Sequence, residues 1–148
     1  MPILNVSIAA APNAALSATV ANVLTELTAR ILGKSPSVTA VAIRYIDAEH
    51  WFAGGQSLAA QGKSSFHLDI KVTDSTNTKD EKARYLAEVF AAMAKLIGPL
   101  HAESYILVHD VRADAYGYGG LTQEHRYVAG QLATKTAPTG VKPPALAA

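Results

Sequence analysis

The sequence contains no cysteine, which rules out a disulfide framework and thiolate chemistry. Charge is sparse as well. Only 17% of residues are Asp, Glu, Lys or Arg and the formal net charge is +1. No basic run or basic stripe interleaved with aromatics appears, so nucleic acid is not expected as a partner. No stretch reaches the roughly 18 consecutive apolar residues of a membrane span, so no membrane partner is expected either. The first residues lack a basic segment, and Asn5 and Ser7 interrupt the opening apolar stretch, unlike a secretory signal. A cytoplasmic location is the expectation. The five histidines, His50, His67, His101, His109 and His125, show no metal-ligand spacing, and no metal or cofactor is expected.

What the chain has in quantity is apolar residues, 49% over 148 positions, enough for one domain with a real core. So few charges on so apolar a chain also fit surface buried in an oligomer.

The periodicities divide the chain cleanly. In Ile3 to Ala9, Leu4, Val6 and Ile8 alternate with Asn5 and Ser7, the pattern of a half-buried strand. Leu16, Val20, Val23, Leu24, Leu27 and Ile31 then mark one face of a helix that starts near Pro12. Gly33 stands where a left-handed cap belongs, and Pro36 prevents continuation. Val38 to Ile46 reads as a second strand. Positions 47–63, with Trp51, Phe52, Gly54 and Gly55, read as a loop with a short strand or turn. Ser65 to Thr73 is a third strand, with Phe66, Leu68, Ile70 and Val72 on one face. Thr78 and Glu81 have capping-box spacing, and Leu86, Val89, Phe90, Met93 and Ile97 give a second helical stripe ended by Gly98-Pro99. Ser104 to Val111 is a fourth strand. Gly117, Gly119 and Gly120 mark a turn or bulged edge, and from about Gln131 the composition reads as a mobile tail.

The order is strand-helix-strand, loop, strand-helix-strand, with helix starts about 65 residues apart. This predicts an α/β (α+β, two-layer) fold. Two βαβ units, about 1–46 and 64–111, form a four-stranded mixed sheet with both helices on one face. The domain is expected to span 1–130, with 131–148 as tail. The second sheet face has no cover of its own, and oligomerisation is the simplest way to bury it.

Chemistry is suggested first by Pro2. Met followed by a small residue is usually processed, which leaves proline as the terminal residue. Its nitrogen is then a secondary amine, with an ordinary α-amino pKa of about 8 that burial lowers toward the useful range of a general base. A proline at position 2 is otherwise unremarked in most chains.

A proline heading a duplicated βαβ chain resembles the tautomerase superfamily, the 4-oxalocrotonate tautomerase and macrophage migration inhibitory factor-like proteins whose single chain holds both units. Gly33-Lys34-Ser35-Pro36, Phe52-Ala53-Gly54-Gly55 and Tyr105-Ile106-Leu107-Val108-His109-Asp110 carry the likeness, over about the first 120 residues. It implies a homotrimer with sheets facing inward and active sites at subunit interfaces. It implies a keto-enol tautomerase for a small 2-oxo acid or its enol, with Pro2 as base and no cofactor. Lys34 would bind substrate, Ile70 or Lys71 would offer a backbone amide, and Tyr105 would come from a neighbouring subunit. The family's asparagine is Leu107 here.

Other groups fit the same chemistry. Arg44, Lys71 and Arg112 are alternative cations for a substrate carboxylate, and Tyr116 and Tyr118 alternative donors. Each group also has a plainer role. Lys34 meets a helix dipole, Tyr105 suits a strand, and Trp51-Phe52 suits a core, an interface or a pocket wall. A Pro-dependent hydratase, dehalogenase or decarboxylase of the superfamily is the enzymatic alternative. Positions 73–78 hold none of the arginines that the related dehalogenases use. A trimeric interaction protein without turnover is the non-enzymatic alternative.

Overall fold

A computed structural model describes residues 2–136, and the chain divides into two compact units, 1–112 and 113–148. In the first, β1 (Ile3–Ala9), β2 (Ala40–Ile46), β5 (Phe66–Thr73) and β6 (Tyr105–Val111) form a four-stranded sheet in the order β2-β1-β5-β6. The outer pairs, β1 with β2 and β5 with β6, are parallel, and the central pair is antiparallel. Helices α1 (Ala14–Leu32) and α3 (Lys79–Ile97) make the two crossovers. Between β2 and β5 lie a hairpin, β3 (Phe52–Ala53) with β4 (Gln56–Ser57), and a single-turn helix, α2 (Leu58–Gln61).

One face of the sheet makes the core. Leu4, Val6 and Ile8 of β1 and Phe66, Leu68, Ile70 and Val72 of β5 are buried against Val20, Leu24, Leu27 and Ile31 of α1 and Tyr85, Val89 and Met93 of α3. Each fully buried Leu, Ile or Phe contributes about 1.5–3 kcal/mol of transfer free energy. The helix ends follow their capping chemistry. Asn13 caps α1 by accepting the Leu16 amide at 3.0 Å, so the helix starts two residues beyond Pro12, at Ala14. Gly33 closes it at φ 65°, and Thr78 and Glu81 form the reciprocal box at the start of α3.

The stripe of α3 runs differently from expectation. Tyr85 is fully buried, whereas Leu86 and Phe90 lie at its edge, both more than a third exposed. Tyr85 is tolerated because its hydroxyl lies 2.9 Å from that of Thr28, itself fully buried. Burial pushes the phenol pKa up to about 12, so this pair stays neutral. Strand β2 also begins two residues later than its composition suggests, because Pro36–Val38 turns as a 3-10 helix.

On the outside, Glu88 of α3 binds Arg30 of α1 and, at 2.8 Å, Arg84 of its own helix. Arg30 first and then Arg84 hold its carboxyl down to about 2. The folded value lies below the ordinary carboxyl value of 4.5, so the contribution is complete above that pH and is lost as pH falls through about 2. Glu88→Gln is expected to flatten this acid limb in thermal melts taken from pH 5 downward, as is molar salt, because the pairs are exposed. An acid limb identical in both proteins would contradict the assignment.

In the second unit, β7 (Gly117–Tyr118) and β8 (Leu121–Thr122) form a hairpin that leads into α4 (Gln123–Thr136). Gly117 is required there, since a Cβ would stand 2.1 Å from the Leu121 carbonyl oxygen. Arg126 lies 3.8 Å over the Tyr118 ring and donates to its carbonyl at 2.9 Å. The tail expected from Gln131 thus begins inside a helix, and 137–148 lie outside the described residues.

Candidate active site

Pro2 is buried at the head of β1, and its carbonyl accepts the Ala40 amide at 3.2 Å. Three further features share this end of the sheet.

The first is a backbone amide. Successive N–H groups of a strand point to opposite sides. In β5 the phase is fixed by two bonds: Ala9 donates to the Ser65 carbonyl, and Asp74 to that of Val111, each at 2.9 Å. Even-numbered residues therefore address β6 and odd-numbered ones β1. Ile70 points its amide at β6. Lys71 points at its partner Ile3, the last pair of the β1 ladder. The first β1-facing amide beyond that ladder belongs to Thr73, beside Pro2.

The second is Lys34. Its ammonium donates to Thr76 Oγ1 at 2.8 Å, and that hydroxyl donates to the Thr73 carbonyl at 2.5 Å. Asn77 ties the same loop to the end of α1 by donating to the Leu32 carbonyl at 3.0 Å. Burial lowers the Lys34 pKa below the ordinary 10.5, against the pull of Glu81 and Asp110 and with a push from Lys82. The third is Arg112, exposed directly after β6. Nothing in the sequence pattern pointed to Thr73 or Thr76.

Tyr105 lies at the other end. It pairs with His67, which pairs with Ser7, five residues along β1 from Pro2. At about 3.3 Å per residue the two are roughly 17 Å apart along the strands. One chain alone does not bring Pro2 and Tyr105 into one site.

Around Tyr105 is a cavity of about 620 Å³, whose lining includes Trp51, Phe52, Gln61, His101 and Glu103. An adjoining hollow of about 380 Å³ shares Trp51, Phe52 and Tyr105 and adds Ser7, Ile46, His50 and His67. The hairpin supplies the aromatic wall. Gly54 and Gly55, at φ 61° and 80°, make the tight turn, and Gln61 Nε2 braces it by donating to the Ala53 and Gln56 carbonyls. Phe52 and Tyr105 are 61% and 55% exposed, an unusual degree for rings on a rigid hairpin and strand. The Tyr105 hydroxyl donates to the Glu103 carboxylate, which raises its pKa above 10.0 and keeps it protonated at neutral pH. Leu107 is partly exposed on the same strand face, opposite Asp69. On that face Asp69 also binds Lys71 at 2.7 Å and lies 3.3 Å from His109 Nε2.

Among the described residues no group of three or more His, Cys, Asp and Glu side chains is placed to hold a metal, and no helix is long and apolar enough to cross a membrane.

These elements define a class, the two-layer fold built from paired βαβ units. Residues 2–61 match the family model described as tautomerase enzyme. No curated protein matches the chain. Solved structures do. A fused 4-OT, an asymmetric trimer, aligns at TM-score 0.68 and 16% identity over 84% of this chain and 98% of its own. A protein inactivated by 2-oxo-3-pentynoate aligns at 0.71 and 12% over 84% and 98%. The macrophage migration inhibitory factor-like protein of Entamoeba histolytica aligns at 0.68 and 16% over 82% and 97%. Residues 2–61 are thus similar to the tautomerase family, and the chain shares its fold with a fused 4-OT and a macrophage migration inhibitory factor-like protein.

Proposed function

We propose that the protein is a cofactor-independent tautomerase that interconverts the enol and keto forms of a small 2-oxo acid. The observation that carries this reading is the buried Pro2, placed at the same sheet end as Lys34 and the Thr73 amide. With Met1 removed, the proline nitrogen is a base. It takes the enol oxygen's proton and, as the ammonium, returns a proton to the neighbouring carbon. Burial favours its neutral form. Lys34 holds the substrate carboxylate, with Arg112 as a second cation at that end. The amide role expected of Ile70 or Lys71 passes to Thr73 in this reading, because their own amides are turned into the sheet.

Tyr105 faces the developing enolate oxygen from a neighbouring copy, since its own chain's Pro2 is too distant. A homotrimer accounts for both that geometry and the uncovered sheet face, and a trimeric fused 4-OT with the same fold supports it. The inactivation of another such fold by 2-oxo-3-pentynoate supports the 2-oxo acid class.

The test is conversion of phenylenolpyruvate to the keto form, followed as loss of enol absorbance without added metal or cofactor. No acceleration over buffer would sink the proposal. The alkaline limb of kcat/KM is expected below pH 10.5, because the ammonium of Lys34 is lost at lower pH than that of an ordinary lysine. Lys34→Met is expected to remove that limb and raise KM about ten- to hundredfold, with a smaller change in kcat. An unchanged KM would exclude Lys34 from carboxylate binding.

A further inference from the structure

The two ends of the sheet differ in charge. Lys34, Arg112 and the Thr73 amide, all suited to an anion, lie at the Pro2 end. Among the described residues, no lysine or arginine lines either cavity at the Tyr105 end. Among the described residues, the only carboxylate lining either is Glu103.

Glu103 is held in place from two sides. Its carboxylate accepts the Tyr105 hydroxyl, and its amide donates to His101 Nδ1 at 3.0 Å. Nδ1 is therefore an acceptor, and a neutral His101 carries its proton on Nε2. Trp51 and Phe52 line the same cavity. Such a cavity accepts an apolar or aromatic tail and opposes an anion, which would be stripped of water beside a fixed like charge.

We propose that Glu103 sets substrate specificity, admitting 2-oxo acids with a single carboxylate and an apolar or aromatic tail and rejecting dicarboxylates. This rests on the reading above, in which the Tyr105 end of one copy completes the site around Pro2 of another. The substrate's one carboxylate then meets Lys34, and its tail enters between Trp51, Phe52 and Glu103. Tyr105 adds a second consequence: its only proton is engaged by Glu103, so a hydrogen bond to substrate is made in competition with that contact.

The experiment compares kcat/KM for phenylenolpyruvate with that for 2-hydroxymuconate, which carries a second carboxylate at its far end. It uses wild type, Glu103→Gln and Glu103→Ala. Wild type is expected to favour phenylenolpyruvate. Both variants are expected to raise the dicarboxylate-to-monocarboxylate ratio of kcat/KM at least about tenfold, as loss of a like charge requires. A ratio unmoved in both variants of an active enzyme overturns the proposal. A rise in Glu103→Ala alone also overturns it, because it points to release of the Tyr105 proton and not to charge. If wild type turns over neither enol, or if Pro2→Ala equals wild type, the underlying reading fails and the specificity claim falls with it. That failure is visible before any Glu103 variant is measured.

Discussion

Pro2→Ala is expected to lower kcat for enol-to-keto conversion by about 10²–10⁴-fold, the range over which a positioned general base operates. The comparison is fair because Met is processed before alanine as before proline, so both proteins present a terminal amine. They differ in what the ring does. The pyrrolidine ring holds the terminal nitrogen fixed about the N–Cα bond and keeps the amine secondary and short of hydration, whereas an alanine amine rotates and is better solvated. The fold is not at risk. Pro2 is anchored by its carbonyl to Ala40, a bond that alanine keeps. Loss of the ring costs about 1–2 kcal/mol of buried apolar contact at about 0.8 per CH₂. Circular dichroism and sedimentation should therefore match wild type while turnover collapses. A companion sample that retains Met1, verified by intact mass, should be as inactive as Pro2→Ala, since an amide nitrogen has no basicity. Equal rates in wild type and Pro2→Ala would remove Pro2 from the mechanism.

The parts of the fold that read directly from the sequence are those set by local chemistry. Alternation in 66–73 gave both the strand and the buried face. Thr78 and Glu81 cap α3, and Gly33 ends α1, because each provides a bond or a backbone angle that its neighbours need. Tyr85 was missed for a tertiary reason. A stripe through Leu86 and Phe90 fits the period as well, and only the hydroxyl of Thr28, 57 positions away, makes the core suit a tyrosine. The hairpin at 52–57 did carry a signal, a Gly-Gly pair between two short extended pairs, where both glycines need positive φ.

The proposed site divides in the same way. Pro2 and Lys34 are legible because their side chains or terminal chemistry are unusual for their positions. The Thr73 amide is not, since every residue but proline has an amide, and its direction depends on the register of β5 between two partners. Glu103 is equally silent in sequence. An exposed acid near a strand is ordinary until the Tyr105 hydroxyl is found to donate to it. The distance between Pro2 and Tyr105 is likewise a product of topology. The antiparallel pairing of β1 with β5, followed by the parallel pairing of β5 with β6, places the heads of β1 and β6 at opposite ends of the sheet, and this makes a second copy necessary for any site that uses both.

That necessity gives the second large effect. Pro2→Ala and Tyr105→Phe are each expected to be poor catalysts alone. If the two residues serve one site from different subunits, co-refolding equal amounts of both variants restores intact sites. Such a site needs its Pro2 from a Tyr105→Phe chain and its Tyr105 from an adjoining Pro2→Ala chain. In a closed ring with random assortment this holds for about one quarter of interfaces. The mixture is therefore expected to reach about a quarter of wild-type activity per site, well above the mean of the two separate samples. Tyr105→Phe is suitable because it keeps the ring in the cavity that Trp51 and Phe52 also line and removes only the hydroxyl. Mixing without refolding serves as the control, since subunits that do not exchange leave the parental activities unchanged. If the refolded mixture gives no more than the mean of its parents, Pro2 and Tyr105 do not meet across an interface. The roughly 17 Å that separates them within one chain would then exclude Tyr105 from the reaction altogether.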